Sequence, residues 1–204
     1  MHSNADYEEV LSPNLYFDKS FNIEAVKILP GEYYVTGRNM VLVTVLGSCV
    51  AACIRDTKSG LGGMNHFMLP DSKKDGGDPL SVSARYGTYA MEMMINQLLK
   101  MGARRANLEA KLFGGGNVLR GFTIANVGQR NVEFALNYLR MENIRLTSQD
   151  LLGEYPRKVY FFPQTGKVML KKLRNVHNDT IVEREQAYSS RIRMADVQGE
   201  VELF

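Results

Sequence analysis

Apolar positions along the chain change rhythm several times, and each rhythm predicts an element. Met40 to Ile54 is dense in branched residues (Val41, Val43, Thr44, Val45, Val50). Branched Cβ atoms fit a pleated surface better than a helical turn, so this stretch predicts a buried strand. Asp56-Thr57-Lys58-Ser59-Gly60 predicts a turn, and Leu61 to Leu69 a second strand ended by Pro70. Upstream, the chain turns strand-like from Val26, with Leu29-Pro30-Gly31-Glu32 as a turn before Tyr33-Tyr34-Val35. Spacings of three and four set in at Tyr86, Ala90, Met93/Met94, Leu98 and Met101, which predicts a helix over 83–101 closed by Gly102. A strand over 106–113, the run Gly114-Gly115-Gly116 and a second helix over 129–141 follow, and then strands over 144–146, 158–162 and 167–173. Asp71 to Pro79 is charged and glycine-rich, and is expected to be a mobile loop. Strands and helices alternate irregularly. The expected fold is therefore α/β: a layered sandwich with mixed, largely antiparallel strands at the centre and helices packed outside.

Periodicity is weak at both ends. Residues 1–25 read as an N-terminal arm or extension, and 174–204 as a polar C-terminal arm, extended or disordered, because charges of both signs stand there among few large apolar residues. The organised domain is then 26–173. The whole chain has 204 residues, 45% apolar and 23% charged, which is ordinary for a globular protein. A formal charge of +3, with no basic stripe, argues against nucleic acid. Asp6, Glu8 and Glu9 stand where a signal peptide would need an apolar region. The longest uncharged stretch, Asn39 to Ile54, is shorter than the roughly 20 residues of a membrane span. These features predict a cytosolic protein without membrane insertion, whose two cysteines do not form a structural disulfide.

Candidate chemistry lies on the expected hairpin. With the turn centred between Thr57 and Lys58, Cys49 falls directly opposite His66, where a thiol and an imidazole can meet. A one-residue slip would turn His66 to the other face. The thiolate is the nucleophile of such a pair, and the imidazole lowers the thiol pKa or takes its proton. Gly47-Ser48 lets the backbone approach closely, so that main-chain N–H groups can face an oxyanion. A lone cysteine in an apolar strand is more often a small core residue, which is the expectation for Cys53. The spacing of Cys49 and Cys53 offers no metal site, because no second ligand pair exists.

The run Leu46-Gly47-Ser48-Cys49-Val50-Ala51, followed by Gly63-Met64-Asn65-His66-Phe67-Met68-Leu69-Pro70, resembles the CheD family of chemoreceptor glutamine deamidases. Lys111-Leu112-Phe113-Gly114-Gly115-Gly116, Gly128-Gln129-Arg130-Asn131 and the stretch from Gly153 to Arg157 match it as well. The resemblance covers Val26 to Leu173, and the Cys49-to-His66 interval is that of the family. It implies a cysteine-dependent protein-glutamine deamidase that needs no cofactor. Its substrates would be the cytoplasmic helices of methyl-accepting chemoreceptors, with the receptor-mimicking phosphatase CheC as a further candidate partner. Cys49 would attack the side-chain amide and His66 would handle the protons. The family's third residue is a threonine that orients the histidine, for which Thr44 is the candidate. In the family pattern that threonine can lie six residues before the cysteine, whereas Thr44 lies five before. In one regular strand Thr44 would face away from Cys49, and a bulge at Gly47 would restore the parity.

Gly114-Gly115-Gly116-Asn117 lacks the ending of a P-loop and the spacing of a dinucleotide fold, so a structural turn near the site is the expectation. Arg130 and Asn131 either cap and pair at their helix start or support the active-site loop. His2 and His177 fall in the polar ends. Met91, Met93, Met94 and Met101 are expected as core filler, or in part as a partner surface. Two other readings compete with the deamidase: a non-catalytic chemotaxis adaptor, which has no reason to keep both Cys49 and His66, and a cysteine peptidase.

Overall fold

The computed structural model describes residues 14–70, 82–118, 127–173 and 179–195. Two five-stranded sheets lie face to face. The first contains β1 (Leu15–Asp18), β2 (Ile23–Lys27), β4 (Val41–Leu46), β9 (Arg157–Phe162) and β10 (Lys167–Lys172), in the order β1-β2-β4-β9-β10. The second contains β3 (Tyr33–Thr36), β6 (Gly62–Asn65), β5 (Val50–Asp56), β7 (Leu108–Gly114) and β8 (Arg145–Leu151), in the order β3-β6-β5-β7-β8. Among the described residues, only the β2–β4 and β7–β8 pairs are parallel. Three helices, α1 (Val82–Lys100), α2 (Val127–Met141) and α3 (Asp179–Ala195), complete the described residues. None is long and apolar enough to cross a membrane. The layered, largely antiparallel α/β sandwich expected from the periodicity is the observed fold.

Strand alternation explains the layers, since successive side chains point to opposite faces. Along β5, Val50, Ala52 and Ile54 pack with Met91, Met94, Ile95 and Leu98 of α1 and with Val132, Ala135 and Leu139 of α2. Ala51 and Cys53 turn the other way and pack with Leu42, Leu46, Val159 and Phe161 of the first sheet. Met91 and Met94 are thus core, and so is Cys53.

Three local expectations change. First, the branched run 40–54 is two strands. The chain leaves the first sheet at Leu46 and enters the second at Val50, so Gly47-Ser48-Cys49 is a crossing between sheets. Thr44 and Cys49 therefore face the same inter-sheet space from opposite sides, and no bulge is needed. Second, the N-terminal stretch taken as an arm supplies β1 and the start of β2, with Ala25 fully buried. A four-residue edge strand with Leu15, Tyr16 and Phe17 exposed leaves too short a pattern to read. Third, the C-terminal stretch expected as an arm contains α3, whose described side chains bury one stripe, Glu185, Tyr188 and Ile192. The expected loop at 71–79, His2 and His177 fall outside the described residues.

Candidate active site

The crossing loop 47–49 is held from behind by its carbonyls. Gly47 O accepts from Gly116 N (2.7 Å), Cys49 O from Gly115 N (2.7 Å), and Ser48 O from the Asn131 side chain (2.9 Å). With all three carbonyls engaged on one side, the three N–H groups point to the other. They converge on one carboxylate, those of Gly47 and Cys49 on the same oxygen, which is the geometry an oxyanion hole requires. The glycine run earns its place here: Gly114 has φ +113°, and a Cβ on it would lie 2.1 Å from Cys49 O. It is a structural turn that clamps the crossing loop.

His66 sits diagonally across from Cys49 rather than directly opposite. Val50 pairs with Phe67, and Cys53 with Met64, so the register is displaced by two residues from the expected one. The cause is the turn. Asp56 Oδ1 accepts from both Lys58 N (2.7 Å) and Ser59 N (3.1 Å), and Gly60 takes φ +74°, which moves the turn centre past Lys58. A shift of two keeps the face, so Cys49 and His66 remain diagonal neighbours on the inter-sheet side. Main-chain bonds fix His66 further: its N–H donates to Glu32 O (2.9 Å), and its carbonyl accepts from Gly31 N (2.7 Å).

Thr44 reaches His66 from the other sheet. Its Oγ1 lies 2.7 Å from Ile28 O and 2.8 Å from His66 Nδ1. The carbonyl can only accept, so the single hydroxyl proton goes to Ile28. Nδ1 must then be the donor to Oγ1, which leaves Nε2 with a free lone pair. Nε2 is buried and has no hydrogen-bond partner among the described residues. Burial pushes the His66 pKa down to about 4, against the opposing effects of the Glu185 charge and the Ile28 carbonyl, so the ring is a neutral base. Thr44→Val keeps the shape and removes the acceptor that selects this tautomer. Turnover is expected to fall about 10–100-fold with KM unchanged, and Thr44→Ser to recover most of it.

Glu185 of α3, absent from the sequence-based candidates, occupies the hole. Its Oε1 accepts from Gly47 N (3.0 Å) and Cys49 N (3.2 Å), and its Oε2 from Ser48 N (3.0 Å) and Ser48 Oγ (2.6 Å). Burial, and then the Glu185 charge and hydrogen bond, hold the Cys49 thiol well above its ordinary range. With Glu185 in place the pair is therefore thiol and neutral imidazole.

Support comes from segments the sequence reading left open or only matched. Asn131 Oδ1 accepts from Leu69 N (2.8 Å) while its Nδ2 donates to Ser48 O, so one buried amide ties the crossing loop to the segment after His66. Arg130 donates to Pro70 O (3.2 Å). Loop support, not simple capping, is what both side chains provide. Arg157, fully buried, binds the Asp150 carboxylate (2.6 Å) and the Leu152 carbonyl, and packs beside Gly116. Asn131→Ala orphans a buried N–H and a buried carbonyl. A loss of about 2–4 kcal/mol in urea unfolding is expected. Among the described residues no three His, Cys, Asp or Glu side chains come together as metal ligands.

Comparison with known proteins agrees with the early resemblance. The family model described as CheD chemotactic sensory transduction matches residues 68–172. A relative from Thiobacillus denitrificans, named probable chemoreceptor glutamine deamidase CheD, is 64% identical across 98% of this chain and 100% of its own length. One of the same name from Methylobacillus flagellatus is 64% identical over 97% of this chain and 98% of its own. Another, from a Janthinobacterium species, is 60% identical over 97% of each.

Proposed function

The chain belongs to the CheD family, and on that premise we propose that it is a chemoreceptor glutamine deamidase in which Cys49 is the nucleophile, His66 the base and Thr44 the residue that orients the base. The observation that carries this reading is the Ile28–Thr44–His66 chain of hydrogen bonds. It leaves a bare imidazole nitrogen on the face that also carries a thiol, beside three convergent N–H groups.

The chemistry follows from those atoms. Cys49 Sγ attacks the side-chain carbonyl carbon of a receptor glutamine as its proton passes to His66 Nε2. Negative charge developing on the amide oxygen is met by the N–H groups of Gly47 and Cys49. His66 returns the proton to the departing nitrogen, the C–N bond breaks, and ammonia leaves a thioester. Water then gives a proton to His66 as its oxygen attacks the thioester carbon. The C–S bond breaks, and the sulfur regains the proton. The sum is glutamine plus water giving glutamate plus ammonium, the acid's proton passing to ammonia, and the substrate side chain gains one negative charge. The substrate segments are the cytoplasmic helices of methyl-accepting receptors, and the CheC phosphatase is a further partner on the family resemblance.

Ammonium measurement on mixing the protein with purified receptor cytoplasmic fragments tests the reading. Ammonium release with fragments of unchanged length supports it. Binding without ammonium would point to an adaptor, and shortened fragments to a peptidase.

A further inference from the structure

Glu185 is a glutamate side chain, the type of side chain the proposed reaction produces, and it reaches into the proposed oxyanion hole from within α3, about two turns from its start. Both of its oxygens face donors: Oε1 the N–H groups of Gly47 and Cys49, Oε2 the N–H and hydroxyl of Ser48. A carboxylate fits this set because it is acceptor-only. An amide in the same pose would turn its NH2 toward the Ser48 N–H, so the hole holds an acid better than an amide.

The helix around Glu185 lies across the loop between two openings. On one side is a cavity of about 480 Å³ bounded by Gly115, Gly116 and Leu152. On the other is a narrow cleft beside Ile28, Pro30 and His66. Among the described side chains of α3, the buried ones are Glu185, Tyr188 and Ile192; Tyr188 meets the Tyr86 hydroxyl of α1. From Glu183 to Ile192 the helix is mostly exposed, with Tyr188 and Ile192 as its buried apolar side chains. Over this stretch the four hydrogen bonds to the Glu185 carboxylate are the helix's main polar hold on the sheets, the arrangement of a removable plug rather than of a core helix.

We propose that the groove beneath α3 is the docking groove for the glutamine-bearing receptor helix, and that α3 fills it as a built-in product mimic which the receptor must displace. This rests on the deamidase reading for the identity of the incoming helix. It extends that reading to how substrate is presented: one helix exchanged for another, with a side chain of the same length entering the same hole. It also makes the resting enzyme latent, because Cys49 has no access to an amide while Glu185 is seated.

Two measurements on the full chain test it, and the first does not depend on turnover. In the first, iodoacetamide labelling of Cys49 is compared in the wild type, Glu185→Gln and Glu185→Ala by peptide mass spectrometry, with buried Cys53 as the internal control. Both variants are expected to label Cys49 at least about tenfold faster with Cys53 still silent. Equal Cys49 labelling in all three overturns the plug. If Cys53 also reacts, the variant has unfolded, and the second measurement decides. There, hydrogen exchange of the wild type is followed with and without receptor fragment, at a concentration that supports ammonium release. Loss of protection over 185–192 with the sheets unchanged supports displacement. Undiminished protection there during turnover overturns the shared groove while leaving the deamidase intact. Absence of ammonium from every form, with the labelling result as expected, would instead sink the deamidase and keep the plug.

Discussion

Cys49→Ala is expected to reduce conversion of receptor glutamine by on the order of 10⁵-fold or more, to the uncatalysed background. The expectation is large because the neighbouring hydroxyl cannot replace the thiol: Ser48 is fixed by its carbonyl, which is tied back to Asn131. Folding is expected to survive. Removing one sulfur from the inter-sheet core leaves a small cavity, an expense of about 1 kcal/mol, and Cys49 Sγ is no structural ligand. The variant should therefore melt cooperatively and still bind receptor fragments, so that lost turnover reports lost chemistry. Binding with turnover near the wild-type rate would remove the thiol from the mechanism.

His66→Ala is expected to lower turnover about 10³–10⁴-fold. The imidazole does two jobs, taking the thiol proton and delivering one to ammonia, and no second base faces Nε2 among the described residues. The structural penalty is limited, because the Thr44 proton already goes to Ile28 O and no buried donor is orphaned. A second readout separates this role from packing. In the fold, burial holds His66 neutral down to about pH 4, whereas an exposed histidine in the unfolded chain binds its proton near 6.5. Between those values the unfolded state carries more protons, so wild-type stability falls as pH drops, by at most about 1.4 kcal/mol per pH unit. His66→Ala should lack that slope. Urea midpoints measured from pH 7 to pH 4 check it, and parallel slopes would contradict the buried neutral ring.

The residues of the site were legible in the sequence to different depths. Cys49 and His66 stood out because a branched strand, a turn and a second strand place them on one hairpin. Their register was misread by two residues because Asp56 builds a turn through its side chain, a bond that residue spacing does not reveal. Thr44 looked out of phase because the run 40–54 reads as continuous. Only the change of sheet at Gly47 makes five residues compatible with a shared interior. Asn131 was one of two readings at a helix start, and its bridging role needs both ends of the bridge in view. Glu185 was missed altogether. In hindsight Ile181, Glu185, Tyr188 and Ile192 recur at spacings of four, three and four, a helical stripe with an acid where an apolar residue belongs. That anomaly was the available signal. It hid in a segment whose composition otherwise reads as solvated.

The most direct test of the central claim is peptide mapping of receptor cytoplasmic fragments by tandem mass spectrometry, after incubation with the wild type and with Cys49→Ala. The account predicts that particular glutamine-containing peptides gain about one dalton each, localised to glutamine side chains, with the wild type and not with Cys49→Ala. Receptor peptides unchanged by the wild type, or converted equally by both proteins, would contradict it.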